Sequence, residues 1–198
     1  MDGQMLNDRS SLLSLLRSRR SAKPRDIRGD PPTRQQLDEM LTIAARTPDH
    51  GKLHPWRFVV IHEGQRDELA ALLRQALSEE NPDATTAHEK KEEEFARYEG
   101  SLVVLVSTPV RGHKIPVWEQ ELSCGAAGMN LLLAAHALGY VAGWVTGWRA
   151  YSPRVTAALC GPGERIAGFI FIGSCAVDLE ERPRPSLDHV VSDWSPKS

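Results

Sequence analysis

The sequence predicts an α+β fold, a layered sheet covered by helices on both faces. Apolar runs of strand length alternate along the chain with longer stretches whose apolar residues recur at helical spacing, and helix outweighs strand. Leu102 to Ser107 and Ile166 to Ile172 are the clearest strands. Glu119 to Leu138 is the longest helix, and its small residues Gly125, Ala126, Ala127 and Gly128 permit close packing. At 198 residues with 41% hydrophobic side chains, one substantial core is the expectation, so residues 1–198 are read as a single domain.

The elements follow in order. Leu12, Leu15 and Leu16 recur at helical spacing after Ser10-Ser11, predicting a first helix that delivers Arg19-Arg20-Ser21 at its C-terminal end. A connector rich in Pro and Gly comes next. Thr33-x-x-Gln36 then matches a capping box, and Leu37, Met40, Leu41, Ala44 and Ala45 draw one apolar stripe that ends before Pro48. Trp56 to Ile61 is a strand in which Trp56 and Phe58 share one parity, anchoring the preceding loop to a core. Glu68 to Leu77 is helical. Ala84 to Tyr98, with Glu89-Lys90-Lys91-Glu92-Glu93-Glu94, reads as a solvated helix face or a mobile lid. Tyr140 to Val145 is a further strand, separated from Ile166 to Ile172 by a short helix with Ser152 as N-cap and Pro153 at its first position. The last twenty residues contain Pro183, Pro185 and Pro196, yet Leu187, Val190, Val191 and Trp194 are too apolar for a solvated tail. That arm, about 179–198, is expected to dock on something.

Composition excludes several classes. A net charge of −2 gives no reason to expect a polyanionic partner, and the basic run Arg17, Arg19, Arg20, Lys23, Arg25, Arg28 lacks the interleaved aromatics of a nucleic-acid surface. Cys124, Cys160 and Cys175 are odd in number and far apart, so neither a disulfide framework nor a thiolate zinc site is indicated, and a reducing cytoplasm fits. Cys124 and Cys160 sit in apolar helical patterns as inert core residues. The opening segment carries Asp2, Asp8 and Arg9 before its leucines, which predicts no cleaved leader. Leu122 to Val145 is interrupted by Ser123, Asn130, His136 and glycines, so no membrane span is expected. No Gly-x-Gly-x-x-Gly or phosphate-loop pattern is present.

Three separated segments carry candidate chemistry. Arg19, Arg20, Ser21 and Lys23 offer three cations and a hydroxyl within five residues, which suits a phosphate monoester, although cations at a helix C-terminus are also explained by its dipole. In Arg46-Thr47-Pro48-Asp49-His50-Gly51-Lys52-Leu53-His54-Pro55-Trp56, Pro48 and Gly51 punctuate a turn and Pro55 stops any helix. The His50-x-x-x-His54 spacing is therefore a poor metal pair, because it converges only on a helix. Trp144-Val145-Thr146-Gly147 closes a strand, where the indole reads as a core aromatic and Thr146 keeps a hydroxyl at the strand's end.

Taken together with Arg182-Pro183-Arg184, these segments resemble the flavin-dependent nitroreductase family, in particular a compact branch with Pro-Asp-His-Gly-x-Leu-x-Pro-Trp in its loop. The resemblance runs from about Leu12 to Trp194. It implies a nitroreductase-like three-layer fold, an intertwined homodimer with an exchanged C-terminal arm, and FMN as cofactor. It implies that Arg19, Arg20, Ser21 and Lys23 grip the FMN phosphate and ribityl chain and that Arg182 and Arg184 complete the phosphate site. Arg46 and His50 would reach the flavin, one of them from the partner, and Trp144, Val145, Thr146 and Gly147 would contact it through backbone and hydroxyl. Many members have Ser at the position of His50 and Asn at that of Lys52. The implied activity is reduction of a nitroaromatic, quinone or other electron-poor small molecule by NADH or NADPH, in alternating half-reactions through the flavin, with no catalytic acid, base or nucleophile from the protein. Reductive dehalogenation, flavin fragmentation and flavin binding without turnover are neighbouring readings on the same fold. His113-Lys114-Ile115-Pro116-x-Trp118-Glu119-Gln120-Glu121 resembles a branch motif leading into the long helix, with no chemistry assigned to it.

Overall fold

The computed structural model describes residues 5–196. Helix α1 (Leu12–Ser18) starts where the Ser11 hydroxyl accepts the Ser14 N–H, and it ends at Arg19, whose backbone turns extended. Helix α2 (Arg34–Ala44) opens on the expected Thr33/Gln36 capping box and buries Leu37, Met40 and Ala44, while Ala45 caps its end. Helices α3 (Arg66–Glu80), α4 (Thr86–Ala96), α5 (Val117–Ala137) and α6 (Pro153–Leu159) follow, the last with Ser152 as cap and proline in its first turn.

The strands are β1 (Ile27–Arg28), β2 (Trp56–Ile61), β3 (Ser101–Ser107), β4 (Val141–Val145) and β5 (Arg165–Cys175). All their pairings are antiparallel. β3 lies between β2 and β5, and the far edge of β5 pairs first with β4, through Phe169 to Gly173, and then with β1, through Ser174 and Cys175. β1 has only two residues and falls in the Pro/Gly-rich connector, where the sequence carries no strand pattern.

Period-two alternation along β3 and β5 divides the interior into two cores. Leu102, Val104, Val106, Phe169 and Phe171 face a cluster with Leu69, Leu73, Phe95 and Val155, drawn from α3, α4 and α6. Val103, Leu105, Ile170 and Ile172 face the opposite cluster, with Met40, Ala44, Ala127 and Leu131 from α2 and α5. Helices thus cover both faces of the sheet, the three-layer arrangement expected. Trp56 and Phe58 both belong to the α2/α5 side, as their shared parity requires.

The charged segment is not a solvated face throughout. Within α4, Glu92 is buried and forms a bidentate pair with Arg149, at 2.8 Å for both Nε–Oε2 and Nη2–Oε1. The Arg149 guanidinium lies 3.7 Å above the Phe95 ring centroid, and its Nη1 donates to the Thr146 carbonyl at 3.1 Å. α4 is therefore tied through one guanidinium to the end of β4.

After Cys175 the chain runs as an arm with a single helical turn, α7 (Leu187–Val190). Leu187, Val190, Val191 and Trp194 are all exposed, Trp194 at 86%, so the arm does not fold back to bury them on its own subunit. Leu12 and Leu16 of α1 are likewise outside the core, while Leu15 enters it.

Removing one partner of a buried ion pair strands the other charge at a cost of about 3–5 kcal/mol, so Glu92→Ala should lower unfolding free energy by that order. Urea titration checks this, with Lys90→Ala, exposed on the same helix, expected within about 0.5 kcal/mol of the parent.

Candidate functional site

Arg19 leaves α1 in extended geometry, and the segment it begins crosses β4. At the crossing the Ala22 carbonyl oxygen lies where a side chain on Gly143 would begin, so β4 can carry only glycine there. Asn7 brackets Arg20, accepting its N–H at 2.8 Å and donating to its carbonyl at 3.2 Å. From α5, His136 Nε2 lies 3.1 Å from that same carbonyl.

The arm then brings the second basic pair to this segment. Arg20 Nε donates to the Glu180 carbonyl at 2.7 Å, and Arg184 Nη2 reaches the Arg19 carbonyl at 3.4 Å and Glu181 at 2.8 Å. Arg19 donates to the Ser21 hydroxyl at 3.1 Å. Burial lowers the Arg19 pKa, and the nearby charges of Arg184, Arg20 and Arg182 push it the same way against Glu181. Among the described residues, Arg19, Arg20 and Arg182 form no ion pair with a carboxylate. Four guanidinium groups beside one carboxylate make a patch of excess positive charge, which an anion with several oxygens would relieve. Lys23 follows, exposed, at the head of the Pro24–Asp26 turn.

The strand β4 contributes its C-terminal end. The Trp144 indole is committed to packing, lying against Gly128 and Gly168 and donating from Nε1 to the Ala167 carbonyl at 3.1 Å. Val145 packs on the α3/α4 core, Thr146 is half-buried, and Gly147 turns the chain with φ of 77°. This leaves backbone and the Thr146 side chain as the groups the segment can offer.

The Arg46–Trp56 loop runs along α5 toward its N-terminus. The Asn130 amide donates to the Thr47 hydroxyl at 2.8 Å, Ser123 donates to the Pro48 carbonyl at 2.5 Å, and His50 Nδ1 meets Glu119 at 2.7 Å. Asp49 accepts the His54 N–H at 2.8 Å, closing the turn. Gly51, Lys52 and His54 all have positive φ, and Ile115 presses against the Gly51 α-carbon, where a side chain would collide. Left-handed geometry costs a non-glycine residue of order 1–3 kcal/mol, so the surrounding contacts must impose it. Arg46 and His50 themselves are exposed.

Within one subunit two sets of the predicted residues therefore stand apart. Arg19, Arg20, Ser21, Arg182 and Arg184 gather beside the His136 end of α5, whereas His50 lies at its Glu119 end, almost five turns away, or about 25 Å at 1.5 Å per residue. Sequence reasoning missed the residues that support both groups. Asn7, His136, Arg149 and Glu119 act on partners distant in sequence, and no local pattern marks them. The one available signal was the unassigned His113–Glu121 motif, which contains Glu119 and whose Gln120 is buried, bonded to Val110 and Ile115.

The fold is that of known nitroreductase-like structures. It superimposes with a TM-score of 0.81 on a nitroreductase-like family protein from Bacillus cereus, at 20% identity over 95% of this chain and 98% of that one. A variant of the FMN and NADPH-dependent nitroreductase NfnB from Sphigopyxis sp. strain HMH gives 0.72 at 18% identity, covering 93% and 98%. By sequence, the chain is 33% identical over 163 residues to the Escherichia coli K12 protein named "Putative NAD(P)H nitroreductase YdjA", covering 82% of this chain and 87% of that protein. The Nitroreductase family model matches residues 16–174, and the chain belongs to that family.

His136 lies against two carbonyls, Leu132 at 2.6 Å and Arg20 at 3.1 Å, and burial, outweighing both, holds its pKa below the ordinary 6.5. The neutral ring has one proton to donate, and Asn7 already serves the Arg20 carbonyl. As pH falls through about 6.5 the unfolded chain takes up a proton that the native ring does not, so stability is full above that value and is lost below it. Thermal midpoints should fall between about pH 7.5 and 5.5, and His136→Gln should flatten that slope.

Proposed function

We propose that this protein is an FMN-dependent NAD(P)H oxidoreductase that reduces nitroaromatic, quinone or similar electron-poor acceptors in two successive half-reactions at one site. The observation that carries the reading is the cluster of Arg19, Arg20, Arg182 and Arg184, which two chain segments far apart in sequence build around an uncompensated positive charge. A terminal phosphate fits it: guanidinium groups bind two oxygens at once, and Ser21 adds a directed hydroxyl. Family membership and the name of the FMN and NADPH-dependent NfnB protein point the same way.

Bound FMN would supply the redox chemistry, receiving electrons from NADH or NADPH and passing them to the acceptor after the nicotinamide leaves. The chain's own residues hold and orient. Arg19, Arg20, Ser21, Lys23, Arg182 and Arg184 anchor the phosphate and ribityl end, and the backbone of Trp144, Val145 and Gly147, with the Thr146 hydroxyl, meets the ring. Arg46 and His50 complete the site, and the span of α5 that separates His50 from the arginine cluster favours one of them, His50, coming from a second subunit. No side chain of the protein needs to act as acid, base or nucleophile.

The assembly is accordingly a homodimer, with residues 1–198 as one flavin-binding unit per chain and the arm from about 179 onward laid across the partner. The exposed Leu12, Leu16, Leu187, Val190, Val191 and Trp194 support it, since burying such side chains contributes about 1.5–3 kcal/mol each. Cys124, Cys160 and Cys175, all unpaired, accord with a cytoplasmic location.

Purified protein should be yellow, release FMN and not FAD on heating, and bleach anaerobically with NADH or NADPH. Arg20→Ala should raise the FMN dissociation constant about ten- to hundredfold, the loss expected for one charge-assisted hydrogen bond, with little change in the urea midpoint. Release of FAD, or no flavin uptake by the parent, rejects the proposal.

Ending the chain after Glu181 removes the apolar anchor together with Arg182 and Arg184. Sedimentation at micromolar concentration should then show monomer, and flavin affinity should fall in step. A truncated protein that stays dimeric and yellow contradicts the exchanged arm.

A further inference from the structure

We propose that Glu119 is a positioning residue for His50, fixing its imidazole with the proton on Nδ1 so that Nε2 is the nitrogen offered to a ligand. The inference rests on the reading of His50 as part of the flavin site and adds to it the element that orients the ring.

The contact itself sets the tautomer. Glu119 Oε2 lies 2.7 Å from His50 Nδ1, and an ionised carboxylate only accepts, so Nδ1 must carry the proton. The His50 side chain is 68% exposed, and Nε2 has no hydrogen-bond partner among the described residues. Glu119 is equally undivided. It lies in the first turn of α5, where the helix dipole favours its charge, and among the described residues its carboxylate bonds no side chain but His50, whereas Glu121 turns to Arg165 and Gln120 to Val110 and Ile115.

Stability is a weak reason for such a pair, because exposed ion pairs contribute little. Orientation is a stronger one. The loop around His50 is held at Thr47 by Asn130, at Pro48 by Ser123 and at Gly51 by Ile115, and Glu119 removes the remaining freedom, rotation and proton placement of the ring. The His113–Glu121 motif thereby acquires a purpose, since its first half wedges the loop and Glu119 aims the histidine.

Nitrogen-15 spectra of histidine-labelled, FMN-loaded protein at about pH 8.5, where imidazoles are neutral, read the tautomer directly. His50 is assigned by the signal lost in His50→Ala. The parent should carry the His50 proton on Nδ1, and Glu119→Gln should shift it toward Nε2 without moving the urea midpoint. Glu119→Gln should also weaken FMN binding about tenfold, as loss of a group orienting a ligating imidazole does, and should have no further effect in the His50→Ala background. A parent protonated on Nε2, a tautomer unchanged by Glu119→Gln, or an equal loss of affinity in both backgrounds overturns the proposal. The expected tautomer and its shift in a protein that takes up no flavin support the positioning and reject only the functional reading.

Discussion

β5 makes hydrogen-bond ladders along both edges, with β3 on one side and with β4 and then β1 on the other, and each segment of the candidate site is hung from a strand in that set. β1 follows Arg19–Ala22 and draws it across β4; β4 leads directly into Thr146 and Gly147; β3 pairs β2, which begins where the Arg46–Trp56 loop stops. The arm with Arg182 and Arg184 leaves directly from β5. A strand buried on both faces, with Phe169, Ile170, Phe171 and Ile172 all inaccessible, therefore aligns segments from almost every part of the chain. Its pairings are mostly non-local, so the site cannot form before the sheet does.

The electrostatics include two opposite designs. The Glu92–Arg149 pair is closed: both carboxylate oxygens are used, the remaining guanidinium nitrogen serves a carbonyl, and Phe95 covers the face. The arginine cluster is open, with burial and then neighbouring like charges lowering the proton affinity of Arg19 and one carboxylate among them. Closed pairs specify a structure; an open cluster keeps an electrostatic deficit that a ligand can fill. Arg66 is a third case, buried with its pKa lowered to about 10 by desolvation, holding the carbonyls of Ala96 and Gly100 as a brace between α4 and β3.

Continuous apolar runs and explicit caps made most of the fold legible in the sequence. Leu102 to Ser107 and the Thr33/Gln36 box need only their neighbours to be interpreted. Ile27-Arg28 became a strand only because the end of β5 was there to receive it, and nothing within two residues could say so. Glu92, Glu93 and Glu94 are identical letters in a row, and only Arg149, distant in the chain, decides that the first is buried. The candidate site was legible as separate segments through their resemblance to a family. Which segments meet, and that His50 and the arginine cluster occupy opposite ends of one helix, required three dimensions.

That helix is also a ruler. Each residue added to α5 lengthens it by about 1.5 Å and rotates everything beyond it by about 100°, so one insertion near its middle would swing Glu119 and Ser123 away from the loop while His136 kept its place. Residues such as Leu131 and Ala127 touch neither group, yet their number fixes the phase between the two ends. Substitution at those positions is a matter of packing, whereas insertion or deletion there alters the site as surely as losing an arginine.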